Sequence, residues 1–143
     1  MELKNSKFEF ENPVLTEIDF KINKNFIKEN IDTNTESASG SITVKHKDDI
    51  PNEAFVYLNI IIGQQGDSFP FELKLTMGSN FKWPEGIDEN NIESLLTINA
   101  PALLLSYIRP IVSSITSSSA YPTYYIPFID FANHEMTPVE NNE

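Results

Sequence analysis

Apolar and polar residues alternate through the first half of the chain in a way that predicts strands. In "TEIDFKIN", Ile18, Phe20 and Ile22 fall on one side with charges between them, the period-two pattern of a half-buried strand. "GSITVKHK" sets Ile42, Val44 and His46 against Thr43, Lys45 and Lys47. "AFVYLNIII" is apolar at nearly every position from Ala54 to Ile62, which predicts a central strand covered on both faces. "SFPFELKLTM" alternates Phe69, Phe71, Leu73, Leu75 and Met77 with Pro70, Glu72, Lys74 and Thr76. The joins "KDDIPNE" and "GQQGDS" are short and turn-rich, so antiparallel neighbours are expected rather than parallel crossovers. The polar run inside 24–40 reads as a loop or insertion.

The period then changes. "DENNIESLL" has the form of a short helical turn with an acidic cap. From Pro101 onward, Leu104, Ile108, Ile111 and Ile115 recur at helical spacing. Pro101 suits a first turn, whereas Pro110 removes a backbone bond inside the helix and predicts a bend. "SSITSSSA" ends the helix in residues that favour caps and turns. Strands followed by a helix indicate an α+β fold. The expectation is a four-stranded antiparallel sheet with a long bent helix on one side, in a single domain over 1–143, with 134–143 as a short flexible tail. Four strands at ~4.8 Å spacing span about 19 Å, and one helix only about 10–12 Å. A single helix therefore leaves apolar sheet uncovered, which calls for oligomerisation or for a surface kept for a partner.

Composition narrows the partners. With 40% hydrophobic and 22% charged residues, the 143-residue chain can bury a real core. Net charge is −11 with only 10 Lys+Arg, which argues against nucleic-acid binding. The absence of cysteine excludes disulfides and thiolate chemistry and fits a cytoplasmic location. The N-terminus "MELKNSKFEF" shows no secretory signal pattern. The most apolar window, 95–115, is interrupted by Asn99, Pro101, Ser106, Arg109 and Pro110, so membrane insertion is not expected.

Catalytic chemistry is sparse. His46 occupies an inward strand position, and His134–Glu135 lacks the second histidine of H-E-x-x-H. Ser113, Ser114, Ser117, Ser118 and Ser119 have no nucleophile-elbow context. Glycines are too few for a phosphate loop. No metal or other cofactor is expected, and no enzymatic activity.

The last third carries a resemblance. "PALLLSYIRPIV", through Pro101, Leu104, Tyr107 and Arg109, and "AYPTYYIPFIDF", through Tyr121, Pro122, Tyr124, Pro127 and Phe131, resemble the signature region of the SecB family of protein-export chaperones. "FPFELKL", "FEFENP" and the "SITVKHK"/"AFVYLNIII" pair are similar to that family's strands. The resemblance implies an ATP-independent holdase, assembled as a dimer of dimers, that binds unfolded or pre-export chains in apolar grooves. By position, the groove would include Ile42, Val44, Phe69, Phe71, Leu73 and Leu75, with Tyr121, Tyr124, Tyr125 and Phe128. The long helix would hold subunits together through Leu104, Tyr107, Ile108, Ile111 and Ile115. Glu11 and Glu72 match acidic positions that meet the translocase motor. Only "ANHEMTPVENNE" follows Phe131, where export chaperones carry a longer helix and tail, and Lys7 stands where an acidic residue is expected. Shorter relatives serve as dedicated chaperones of an antitoxin, so one dedicated partner is the alternative reading. A small enzyme is the weakest of the three.

Overall fold

The computed structural model describes residues 7–26, 38–63, 68–133 and the backbone of 138–142. His134, Glu135 and the middle of the 24–40 loop lie outside the described residues. The element order is β1 (Glu9–Phe10), β2 (Val14–Ile22), β3 (Ala38–His46), β4 (Glu53–Ile62), β5 (Phe71–Lys82), α1 (Glu89–Ser94), α2 (Ala100–Ser117) and β6 (Pro138–Asn142). β1 and β2 share one edge of β5, and the sheet continues through β4 and β3 to β6. All neighbours are antiparallel except β6, which runs parallel to β3. The expected α+β sheet with a helix on one side is therefore present. It gains a fifth row from the segment read as a flexible tail. "PVENN" has no alternation to announce a strand, because its pairing comes from the exposed β3 edge rather than from an apolar face of its own.

Register fixes the faces. Ile18, Phe20 and Ile22 sit opposite Leu75, Leu73 and Phe71, and Leu75 and Leu73 in turn oppose Ile60 and Ile62 on β4. Leu15 joins this inner face opposite Met77 because a bulge lies between Leu15 and Glu17. One extra residue there lets positions three apart share a side. Ala54, Val56, Leu58, Ile60 and Ile62 are buried inward. On the outer face, Phe55, Tyr57, Asn59 and Ile61 are only half-buried, so β4 is not covered on both faces as its apolar run suggests. Phe55 and Tyr57 instead pack on each other at 4.9 Å, and Tyr57 lies across Gly78, where a Cβ would come within 2.5 Å of its ring. Gly63 leaves β4 at φ +87, with the Phe71 carbonyl where a side chain would stand; only glycine fits there.

α1, a π-helical turn over Leu95–Asn99 and α2 form one continuous helical stretch of 29 residues. The short turn and the long helix expected separately are thus joined. Asp88 caps the start by accepting the Asn90 N–H. The wider turn lies just before Pro101, with the Ala100 N–H bonded five residues back to Leu95. The missing N–H of Pro101 is thereby accommodated without a break. By length and composition alone this stretch could cross a membrane. Its apolar side, however, is spent on the sheet: Ala100, Leu104, Leu105, Ile108, Val112 and Thr116 are buried, and the helix packs on β4 and β5. The buried stripe thus runs through Leu105 and Val112, and Ile111 and Ile115 are half-buried on its flank.

Candidate functional site

α2 reaches two central strands and leaves the edge strand bare. β2 carries the same inner-face pattern as β5, yet Leu15, Ile18 and Ile22 are exposed, Ile18 by 40% and Ile22 by 42%. Among the described residues no strand pairs with the outer edge of β2. The row spans roughly 26–30 Å at about 3.3 Å per residue. An aromatic contact closes each end. Phe10 meets Tyr107 of α2 edge-on at 6.5 Å and Phe81 at 6.2 Å. At the other end Phe20 packs on Phe71 at 5.5 Å, and Phe26 on Tyr121 at 5.3 Å.

The segment after α2 is fastened to the helix and to the start of β5. Thr116 Oγ1 accepts the Tyr124 N–H at 2.9 Å, and Arg109 Nη2 donates to the Pro127 carbonyl at 3.0 Å. Ile126 and Phe131 are buried, and Tyr124 meets Phe69 and Phe71 edge-on. Tyr125 and Phe128 stand free, exposed by 76% and 85%. Leu15, Ile18 and Ile22 on β2, Tyr107 on α2, and Tyr125 and Phe128 on the post-helix segment are thus among the large apolar side chains left exposed. Isolated exposed apolar residues are ordinary, but several on successively packed elements make a candidate contact surface.

The residues expected in the groove divide sharply. Ile42, Val44, Phe71, Leu73 and Leu75 are fully buried in the core cluster, so their apolar atoms offer nothing to a ligand in this conformation. Phe69, Tyr121 and Tyr124 are half-buried, and only Tyr125 and Phe128 are open. On the inner face of the sheet it is instead Leu15, Ile18 and Ile22 of β2 that are exposed. Of the expected subunit interface, Leu104 and Ile108 are wholly enclosed by their own chain, Ile111 and Ile115 are half-buried, and Tyr107 is exposed. The sequence signal for β2 was present in its alternation; what it lacked was the strand's place at the edge.

Glu11 and Glu72 lie apart, beside opposite ends of β5. Glu11 donates its N–H to the Asn80 carbonyl, and its own carbonyl accepts the Ser79 hydroxyl. From Glu72 to Asn80 the strand covers roughly 26 Å. Each acid has a lysine nearby: Lys82 at 3.9 Å from Glu11, also 3.6 Å from Glu53, and Lys74 at 3.6 Å from Glu72. Such exposed pairs contribute little to stability. His46 is half-buried at the end of β3. Ser113, Ser117, Ser118 and Ser119 donate to carbonyls of the preceding helical turn, as residues of a helix end do. Among the described residues no three His, Asp or Glu side chains gather as metal ligands would.

Comparison with known proteins places this architecture. The family described as preprotein translocase subunit SecB matches residues 8–136. A protein-export protein SecB of Anaplasma phagocytophilum is 27% identical over 139 residues, covering 92% of this chain and 87% of the relative. That of Anaplasma marginale is 26% identical over 124 residues, covering 85% and 71%. A solved SecB-like chaperone of Mycobacterium tuberculosis, in complex with a peptide from an antitoxin, superposes with a TM-score of 0.65 at 14% identity, over 87% of this chain and 88% of that one. A Streptococcus agalactiae protein of unknown function shares the fold with a TM-score of 0.54, at 14% identity over 85% of this chain and 97% of that one. With its profile matched from the first strand to beyond the post-helix segment, this chain belongs to the SecB family.

Proposed function

We propose that this protein is an ATP-independent holdase of the cytoplasm, which binds unfolded or pre-export polypeptides and performs no catalysis. The observation that carries the reading is the set of large apolar residues left exposed on β2 and on the post-helix segment, Ile18, Ile22, Tyr125 and Phe128. An extended client would lie along the β2 row and stack on aromatics that adapt to many sequences at low entropic cost. The net charge of −11 keeps such a surface soluble and steers basic clients toward it. Family membership supports the same reading.

The working form is proposed to be a homo-oligomer, a dimer of dimers. An edge strand of nine residues with an open side supports pairing to a second copy. Contact with the translocase motor through Glu11 and Glu72 belongs to the same reading. It would engage two separate points rather than one acidic patch. The second reading, a dedicated chaperone for one partner such as an antitoxin, is favoured by the fold shared with the mycobacterial protein, which is seen with an antitoxin peptide. Native mass spectrometry of the pure protein, with and without a reduced unfolded client, tests the proposal. The expected result is an oligomer that takes up client without nucleotide; a monomer that takes up none contradicts it.

A further inference from the structure

Residues 121–131 form no helix or strand, yet they are held to α2 at several points. Thr116, fully buried, donates its hydroxyl to the Val112 carbonyl at 2.8 Å and accepts the Tyr124 N–H at 2.9 Å. One polar atom thus closes a helix turn and fastens the chain eight residues on. Two turns earlier, Arg109 directs its guanidinium to a backbone carbonyl, that of Pro127. Between these bonds Ile126 is buried, and beyond them Phe131 is buried as well. The anchored positions Tyr124, Ile126 and Pro127 therefore interleave with Tyr125 and Phe128, the two most exposed large apolar residues described. An irregular segment left loose would have to be ordered each time a ligand bound, and that ordering would weaken the complex.

We propose that Arg109 and Thr116 are positioning residues which fix this segment, so that Tyr125 and Phe128 stand as a pre-formed aromatic wall of the binding surface. The proposal rests on the chaperone reading above. Arg109 and Thr116 touch no client themselves; they act through the two aromatics. Their effect is felt mostly in how long a client stays bound, since a pre-formed wall chiefly slows release.

The test uses the full chain and a fluorescently labelled, unfolded 20-residue peptide with alternating aromatic, aliphatic and lysine residues. Dissociation is followed by stopped-flow anisotropy and Tyr124 amide exchange by NMR. Thr116→Val keeps the shape but removes the hydroxyl and with it the bonds to the Val112 carbonyl and the Tyr124 N–H, along with the longer one to the Ser113 carbonyl. It is expected to speed peptide release and Tyr124 exchange about five- to tenfold, the range of one lost neutral hydrogen bond. Thr116→Ser, which keeps the hydroxyl, should restore both to within about twofold of the unaltered protein. Arg109→Met should also speed release severalfold. In a Tyr125→Ala/Phe128→Ala background, Thr116→Val should add nothing to the release rate, because the wall it positions is gone. Faster Tyr124 exchange with unchanged release, or an effect that persists in the double-alanine background, overturns the proposal. Failure of the unaltered protein to bind the peptide overturns the chaperone reading itself, an outcome distinct from either.

Discussion

Leu73→Ala and Ile18→Ala form a paired test of where core ends and binding surface begins. The two residues share the inner face of adjacent strands: Leu73 pairs with Phe20, and Ile18 with Leu75. Leu73 is 0% exposed, however, and packs in the core cluster with Leu104 and Ile108 of α2. Truncating a leucine so enclosed removes its transfer energy and leaves a cavity, at a cost of about 2.7–5 kcal/mol. Ile18 keeps 40% of its surface in water. Full burial of an isoleucine stabilises by roughly 1.5–3 kcal/mol, so losing its buried part should cost about 1 kcal/mol and leave little cavity. Urea unfolding at one fixed protein concentration gives the stabilities; fixing it matters because assembly would make them concentration-dependent. Fluorescence anisotropy with an unfolded peptide gives the affinities. Leu73→Ala should lose midpoint with its folded fraction binding normally, whereas Ile18→Ala should lose affinity about three- to tenfold while stability falls by only about 1 kcal/mol. Weakened binding by Leu73→Ala without lost stability would refute the division and return β5 to the groove.

Three further outcomes follow from the packing. Leu104→Asp or Ile108→Asp places an unpaired charge in a fully enclosed site and should unfold the chain, seen as lost circular dichroism, rather than release intact subunits. Gly78→Val sets methyl groups against the Tyr57 ring and should lower stability by about 1–3 kcal/mol in thermal unfolding, without touching the inner-face surface. Tyr125→Ser/Phe128→Ser alters residues with most of their surface in water; thermal unfolding should shift little, while client affinity measured by anisotropy falls more than about tenfold.

The four antiparallel strands were legible because three carry a period-two alternation and the fourth, Ala54–Ile62, a nearly continuous apolar run, and Ile42/Val44, Ala54–Ile62 and Phe71–Met77 all pair in the expected sense. The helix was legible from Leu104 and Ile108, although its buried stripe turns toward Leu105 and Val112. The site was harder for a physical reason. Alternation tells which residues share a face, but Ile18, Phe20 and Ile22 look the same in sequence as Phe71, Leu73 and Leu75. Only strand order separates them: β5 lies under a helix about 10–12 Å wide, and β2 lies beyond its reach. Leu15 was hidden by a bulge that breaks the period. β6 was hidden because an edge recruits backbone rather than an apolar pattern. The width argument correctly required uncovered apolar sheet, without saying which strand supplied it. The post-helix aromatics all stand out in the sequence, yet their split into anchors (Tyr121, Tyr124) and open residues (Tyr125, Phe128) depends on specific partners, Thr116 eight residues back and Phe26 in a distant part of the chain.

Site-directed photo-crosslinking tests the central claim most directly. A benzophenone side chain placed in turn at positions 18, 22, 125 and 128 of the full protein would be irradiated with an unfolded, radiolabelled client. Position 43, on the polar outer face beside Lys45 and Asn59, serves as the control. The account predicts client adducts from all four inner positions and none from position 43. Adducts from position 43 with none from 18 and 22 would contradict it.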